Sequence, residues 1–237
     1  MADFVLVHGS GQNAGSWARV AERLASSGHA VVAPDLPKHA AGWGLQRYAA
    51  EIARSVGPRT VVVGHSLSGI FLPLVAQAGP CGLLVFFAAV LPEPGRSVRQ
   101  QLQADAAMFN PEWIKAGSRW FAADHVEALA REFLFHDCDD ETLPWALSTL
   151  EMLDTRSLVL EPCPLQAWPD VPSVSVIATE DRTLSPDWGR RVSRLAPRCE
   201  LTEMHAGHCP HMSQPHQTAE LLERLARDAA RHRTRDA

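Results

Sequence analysis

The first half of the chain alternates short apolar runs with amphipathic stretches, and this alternation constrains the fold more than any other sequence feature. The apolar runs, each predicted to be a strand, are Phe4–Val7, Ala30–Ala33, Thr60–Val63 and Leu83–Phe87. Apolar residues at helical spacing predict helices over Trp17–Ser27, Leu45–Val56 and Leu67–Ala78. Such alternation is typical of a parallel sheet with helices on both faces, joined by right-handed crossovers.

The pattern changes at Pro92-Glu93-Pro94-Gly95, a cluster of residues that break regular structure. From there to residue 172 the sequence has helical spacing and many large side chains but no convincing strand. Strand patterns return at Val174–Ala178 and Glu200–Met204, with helices predicted over Pro186–Leu195 and Thr218–Ala230. We therefore predict an α/β fold with a mostly parallel sheet of about six strands. Residues 1–91 and 173–237 would form its core, and residues 92–172 an inserted helical cap.

Composition excludes several classes of function. The net charge is −5, so the chain lacks the basic surface of a nucleic-acid-binding protein. Its five cysteines contain no C-x-x-C pair, which favours reduced thiols over a zinc ribbon or a redox motif. The sequence shows no signal peptide and no apolar run long enough to cross a membrane, so we expect a cytoplasmic protein that binds neither membrane nor nucleic acid.

A candidate nucleophile follows the third predicted strand, where Thr60–Val63 runs into the segment Gly64-His65-Ser66-Leu67-Ser68-Gly69. This segment is close to the G-x-S-x-G turn, in which a serine between a strand and a helix exposes its hydroxyl. Ser68 stands where the motif has its second glycine, and serine is small enough for the same close packing. The helix that follows points free N–H groups at any anion formed beside Ser66. The pattern predicts that Ser66 is a nucleophile.

A nucleophilic serine needs a base, and the base needs an acid that orients it. Asp181 follows the strand Val174–Ala178, at the sheet edge where open α/β sheets carry their sites. His208 follows the last predicted strand, on a loop that can bring an imidazole back over Ser66. The predicted order of serine, acid and histidine along the chain is the order of one known catalytic triad.

Rival residues stand close to both positions. Glu180 and Asp187 are alternative carboxylates, and His205 and His211 are alternative bases. A metal site formed by His205, His208 and His211 is disfavoured, because Pro210 breaks a helix there and no carboxylate is positioned to join them. No cofactor is predicted.

An oxyanion formed during acyl transfer requires two backbone N–H donors. We predict that Leu67, directly after the nucleophile, supplies one and that Ser10, in the turn after the first strand, supplies the other. Trp113, Trp120 and Trp145 in the predicted cap are candidate substrate-binding residues, with the alternative that they are buried core tryptophans.

Taken together, these segments resemble the α/β-hydrolase superfamily and, within it, the small methylesterase and hydroxynitrile-lyase branch with its bacterial esterases. The similar segments are LVHGSGQNAGSW, VVAPDLP, GHSLSG, FFAAVLPEPG, TEDRTLSP and GHCPHMSQP. Plant hydroxynitrile lyases of this branch carry a lysine directly after the catalytic histidine. Cys209 stands at that position here, which disfavours their chemistry.

The resemblance implies a serine hydrolase that cleaves a small or medium apolar or aryl ester through an acyl-enzyme. The same triad could instead serve a lyase, a cyclase or a cofactor-free oxygenase. A third hypothesis is a receptor-like ligand-binding protein on this fold. The expected partner is a small-molecule ester or related carbonyl compound, and both a monomer and a homodimer fit the sequence.

Overall fold

A computed structural model of the chain describes residues 1–117 and 125–233. Six parallel strands form one sheet in the order β2-β1-β3-β4-β5-β6. The strands are β1 (Asp3–Val7), β2 (Ala30–Val32), β3 (Thr60–His65), β4 (Leu83–Phe87), β5 (Ser173–Ala178) and β6 (Cys199–Met204). The predicted α/β class, the parallel sheet and its six strands are therefore confirmed.

Helices cover both faces of the sheet. Within the described residues they are α1 (Ala18–Ser26), α2 (Leu45–Ala53), α3 (Leu72–Ala78), α4 (Val98–Ala104), α5 (Pro111–Ala116), α6 (Val126–Leu129), α7 (Leu143–Ser148), α8 (Pro186–Ser193), α9 (Pro210–Ser213) and α10 (Pro215–Arg233). Helices α2, α3 and α8 contribute to the apolar cluster on one face, and α1 and α10 to the cluster on the other. None of the helices in the described ranges is long and apolar enough to cross a membrane.

Strand β3 lies at the centre of the sheet and carries Ser66 immediately after its last residue. All six residues of β3 are buried, as expected for a β-branched run between two parallel neighbours. Its side chains alternate between the faces, with Val62 in one apolar cluster and Val61 and Val63 in the other. The register pairs Gly64 with Val7 and His65 with Phe87, so the ends of β1, β3 and β4 lie side by side. The loops that follow these strands therefore meet above one sheet edge.

The helix predicted after Ser66 is wound in two parts. Residues Ser66–Phe71 form a 3₁₀-helix, and α3 begins only at Leu72. Pro73 has no N–H, so it cannot make the hydrogen bond that would continue an α-helix back through this turn. Pro73 instead occupies the first turn of α3, where a missing donor costs little.

The described part of the segment between β4 and β5 contains helices α4 to α7 and then an irregular stretch over 151–172, and its apolar residues are divided between two clusters. Met108, Leu153 and Leu165 belong to the same apolar cluster as the sheet and α3. A separate cluster, which includes Phe133 and Phe135, packs on Cys209 and Met212. The division into a core and a cap of residues 92–172 stays a prediction.

Candidate active site

Ser66 occupies a strained position at the turn from β3 into the following helix. Its φ is 55°, in the left-handed region that residues with a side chain rarely adopt. Its carbonyl accepts a hydrogen bond from the N–H of Val90, at 3.0 Å, in the loop after β4. Strain of this kind persists only where surrounding contacts hold it, and it concentrates at functional sites.

The two glycines of the segment permit the close approach that this turn requires. A Cβ at Gly64 would lie 2.1 Å from Leu72 Cδ1, and one at Gly69 would lie 2.3 Å from the Val90 carbonyl oxygen. Ser68, the departure from the usual motif, is tolerated because its buried hydroxyl donates to the carbonyl of His8. The substituted serine thus ties the Ser66 turn to the loop after β1.

His208 lies within hydrogen-bonding distance of Ser66. Its Nε2 is 2.9 Å from Ser66 Oγ, although the two residues are 142 positions apart in the sequence. His208 is buried, and it sits on the loop between β6 and α9. Its carbonyl accepts a hydrogen bond from His65 Nε2 at 2.9 Å, so the residue before Ser66 also holds the His208 backbone.

Asp181 lies on the other side of the His208 ring, with its Oδ2 at 2.8 Å from Nδ1. The other carboxylate oxygen, Oδ1, accepts from the N–H of Thr183 at 2.7 Å, the Thr183 hydroxyl at 2.9 Å and the N–H of Leu184 at 3.0 Å. The Asp181 side chain is 3% exposed. A carboxylate with this many donors is fixed in orientation and faces the imidazole as an acceptor.

Thr183 is a member of this group that sequence reasoning missed. Its Oγ1 lies 2.7 Å from His208 Nδ1 as well as 2.9 Å from Asp181 Oδ1. The Thr183 hydroxyl therefore donates to the carboxylate and accepts a share of the imidazole N–H. An available signal was the spacing, since an aspartate often accepts from the backbone two residues further on.

The rival residues lie elsewhere. Asp187 pairs with Arg190 at 2.7 Å on the surface. Glu180 faces His205 at 3.6 Å, and the His205 side chain is 87% exposed. His211 is fully buried and stacks on Trp17, with ring centroids 4.3 Å apart.

The loop after β1, which contains Ser10, is held from beneath by a buried lysine. Lys38 Nζ lies 3.0 Å from each of three acceptors: the carbonyl of Gln12, Oδ1 of Asp35 and Nε2 of His8. Burial lowers the pKa of His8 to about 4, so the ring stays neutral and its Nε2 can accept. Sequence reasoning missed Lys38 because two of its three contacts join it to residues 26 and 30 positions away in the chain.

Two cavities meet at Ser66. Both are lined by Ser10, Ser66, Trp113 and Thr155. The first, which we call the His208 cavity, also contains His208, Gln12, Leu134 and Met152 and has a volume of about 230 Å³. The second, the Leu67 cavity, also contains Leu67, Leu102, Phe109 and Val159 and has a volume of about 320 Å³. Ser10 and Leu67, the predicted oxyanion donors, thus both lie beside Ser66.

The three predicted tryptophans have different positions. Trp113 lines both cavities and packs edge-on against Phe133. Trp145 is outside the lining of both cavities, and the Arg19 guanidinium stacks over its ring at 4.3 Å. Trp120 lies outside the described residues.

A group of potential metal ligands lies behind His208. His65, Cys209 and His211 are all buried, and their ligand atoms lie within 4.8 Å of one another. Burial raises the pKa of the Cys209 thiol well above its usual value and lowers that of His211 to about 3. These two groups are therefore neutral near pH 7. His65 Nε2 is already engaged by the His208 carbonyl.

Comparison with known proteins gives consistent results. The sequence matches the Alpha/beta hydrolase family over residues 4–221. It is 27% identical to a probable esterase, PIR7A, from Oryza sativa, across 94% of this chain and 96% of the relative. It is 26% identical to methylesterase 9 from Arabidopsis thaliana, across 95% and 98%. Such names support the sequence-based assignment to the carboxylesterase-type hydrolases.

The fold is also similar to solved structures. A pyrethroid hydrolase from Sphingobium faniae JZ-2 superimposes with a TM-score of 0.76 at 21% sequence identity, and the match covers 97% of this chain and 99% of that one. The family match spans most of the sequence. The chain therefore belongs to the alpha/beta hydrolase family.

Proposed function

We propose that this protein hydrolyses a carboxylic ester, with Ser66 as nucleophile, His208 as general base and Asp181 as the acid that orients the base. The observation that carries the proposal is one continuous series of contacts. Ser66 Oγ lies 2.9 Å from His208 Nε2, and His208 Nδ1 lies 2.8 Å from Asp181 Oδ2. The series ends at Ser66, where two cavities meet. A nucleophile, a base and an orienting carboxylate in this order are the requirements of acyl transfer.

In the acylation step, His208 Nε2 takes the proton of the Ser66 hydroxyl as Oγ attacks the ester carbonyl carbon. The carbonyl oxygen becomes an oxyanion that accepts from the backbone N–H groups of Ser10 and Leu67. When the bond between carbon and the ester oxygen breaks, His208 gives its proton to that oxygen. An alcohol leaves, and an acyl group remains on Ser66.

Deacylation repeats these steps with water. His208 takes a proton from a water molecule that attacks the acyl carbon, and then returns it to Ser66 Oγ as the ester bond to the enzyme breaks. The products are one alcohol and one carboxylic acid. Every proton is transferred through His208, and the cycle requires no cofactor.

Asp181 and Thr183 fix the tautomer on which both steps depend. Nδ1 must carry a proton so that Nε2 can accept one, and Asp181 Oδ2 and Thr183 Oγ1 both lie in position to accept the Nδ1–H. The carboxylate is held by donors on its other oxygen. It therefore stabilises the imidazolium that forms during each transfer.

Replacement of Ser66 by alanine tests the proposal. We expect Ser66→Ala to lower kcat for p-nitrophenyl butyrate by several orders of magnitude, on the order of 10⁴ or more, without loss of folding. Ser148→Ala is the matched control, because Ser148 is exposed and, within the described residues, its hydroxyl donates only to the carbonyl of Trp145. Equal activity of the Ser66 variant and the parent would contradict the nucleophile.

Covalent labelling separates the proposal from its rivals. We expect a fluorophosphonate to add once to the parent protein, on Ser66, and not to the alanine variant. Labelling without turnover of simple esters would favour a non-hydrolytic reaction on the same triad. Tight ligand binding without labelling would favour a receptor-like protein.

A further inference from the structure

The two cavities at Ser66 differ in whether they contain His208. The His208 cavity is lined by the imidazole itself, by His65 and by the loop after β1. The Leu67 cavity contains neither histidine and instead reaches Leu67, Val90 and helix α4. Both include Ser66 and Ser10, so a carbonyl group attached to Ser66 lies next to both cavities.

Acid catalysis decides which half of an ester can enter which cavity. His208 Nε2, 2.9 Å from Ser66 Oγ, must also reach the leaving oxygen to protonate it. The leaving oxygen, and the alcohol group attached to it, must therefore lie in the cavity whose wall includes the imidazole. The leaving oxygen takes the position beside the imidazole, and the oxyanion takes the position near Ser10 and Leu67. The acyl substituent therefore has to take the remaining direction, away from the imidazole.

We infer that the substrate is an ester with two bulky halves, whose acyl group enters the Leu67 cavity and whose alcohol group enters the His208 cavity. This inference rests on the proposed function. It adds a substrate class and a direction of binding, which a triad alone does not specify.

The Leu67 cavity fits an apolar acyl group. Its volume of about 320 Å³ is far larger than an acetyl group requires, and Leu102, Phe109 and Val159 form much of its wall. Among the described residues of its lining, Arg99 is the charged one, and it is exposed, so its charge can remain hydrated. Apolar surface buried here favours a branched, aryl or medium-length acyl chain.

The His208 cavity fits a smaller but still substantial alcohol. Leu134 and Met152 form the apolar part of its wall. Gln12 also lines it, and the Gln12 side chain is held in place because its Nε2 donates to Met212 Sδ at 2.9 Å. A methyl leaving group would leave most of its volume of about 230 Å³ unfilled. After the alcohol departs, the same cavity gives water access to His208 for deacylation.

Two series of esters test the inference on the parent enzyme. In the first, p-nitrophenyl acetate, butyrate, hexanoate and benzoate vary the acyl group. In the second, methyl, benzyl and naphthylmethyl butyrate vary the alcohol. We expect kcat/KM to rise by about fourfold for each added methylene that finds apolar surface in the acyl series. The benzyl ester should likewise exceed the methyl ester.

A matched pair of variants tests the direction of binding. Leu102 and Met152 are both partly buried apolar residues, and each lines one cavity only. We expect Leu102→Trp to reduce kcat/KM for the hexanoate relative to the acetate by about tenfold or more, with little change in the alcohol series. Met152→Trp should reduce the benzyl ester relative to the methyl ester and leave the acyl order unchanged. Leu102→Phe and Met152→Phe repeat the test if a tryptophan variant does not fold.

The outcomes separate the inference from the proposed function. A reversed pattern, with Met152→Trp restricting the acyl series, would overturn the assignment of the cavities. A parent enzyme with no preference in either series would overturn the class of substrate. In both cases Ser66→Ala would still abolish ester hydrolysis, whereas failure of that variant to do so would remove the proposed function itself.

Discussion

His208 and His211 are three residues apart, both are buried, and they differ almost completely in their surroundings. His208 contacts a hydroxyl through one ring nitrogen and a carboxylate through the other. Both ring nitrogens of His211 lack a hydrogen-bond partner among the described residues. Its ring lies between Trp17 and His65, with centroids at 4.3 and 4.5 Å.

This difference shows that partners, rather than burial or spacing, give a histidine its chemistry. Burial lowers the pKa of His211 to about 3, and no carboxylate among the described residues opposes the effect. His211 therefore stays neutral near pH 7 and packs as an aromatic ring. His208 has a hydroxyl on one side that could give it a proton and a carboxylate on the other that can orient its ring, as the proposed general base requires.

The largest expected effect comes from removal of the His208 ring. We expect His208→Ala to lower kcat/KM for p-nitrophenyl butyrate by roughly four to six orders of magnitude, because Ser66 would lose its base. His205→Ala is the control, since the His205 side chain is 87% exposed. A comparable loss in the control would break the comparison.

Asp181 tests whether the carboxylate distinguishes the two histidines. We expect Asp181→Asn to lower kcat by about 10³ to 10⁴, because an amide can stabilise the wrong imidazole tautomer and carries no charge to oppose the imidazolium. Steady-state kinetics should show the loss mainly in kcat. Glu180→Gln should be close to the parent, and the reverse ranking of the two variants would transfer the orienting role to Glu180.

Thr183 sharpens the comparison at a smaller scale. Thr183→Val keeps the shape of the side chain and removes the hydroxyl that contacts both Asp181 and His208. We expect a loss of about tenfold in kcat, as a hydrogen bond to a charged group contributes about 1.5 kcal/mol. Activity as low as that of Asp181→Asn would mean that the threonine hydroxyl is needed to orient the ring as much as the carboxylate is.

The smallest effect on activity is expected at His211. His211→Phe should retain activity within about threefold and should change the pH dependence of stability. The folded-state pKa of His211, about 3, lies below the unfolded value of 6.5. The unfolded chain thus binds more protons below pH 6.5, and the folded state loses stability as pH falls towards 3.

Urea unfolding at pH 7 and pH 5 measures this change. Between those values, one such histidine costs the parent about 2 kcal/mol of unfolding free energy, which the phenylalanine variant should not lose. Burial also lowers the pKa values of His8 and His65, which are present in both proteins. Because His211 is neutral between pH 5 and pH 7, we expect its replacement to leave their contributions unchanged. Equal losses in parent and variant would contradict a neutral, buried His211.

Much of the sheet could be predicted from the sequence because its signals are local. The prediction for Leu83–Phe87 has the same limits as β4, and that for Thr60–Val63 falls two residues short of β3. Ser66, His208 and Asp181 come together as expected, since each follows a strand that ends at the same edge of a parallel sheet. Chain order and strand ends were sufficient to predict that these three residues lie close together, and their catalytic roles stay a prediction.

The remaining features depend on packing between distant segments. Lys38 contacts the loop after β1 across 26 to 30 residues, and the Leu67 cavity is bounded by α4 and by residues near 159. No periodicity encodes such contacts. The tryptophans illustrate the limit of sequence-based prediction. Trp113 and Trp145 are both tryptophans in the predicted cap, but of the two only Trp113 lines the cavities.

The hydrogen bond from His65 Nε2 to the His208 carbonyl has a consequence for the reaction cycle. It joins strand β3, which ends beside the proposed nucleophile Ser66, to the loop that carries the proposed base His208, through atoms that the proposed mechanism does not use for proton transfer. In that mechanism, the distance between the two side chains is supported even while the hydrogen bond between them is broken and remade. In the proposed acyl-enzyme, where Ser66 has no hydroxyl proton, the His208 imidazole would therefore stay in position for the incoming water.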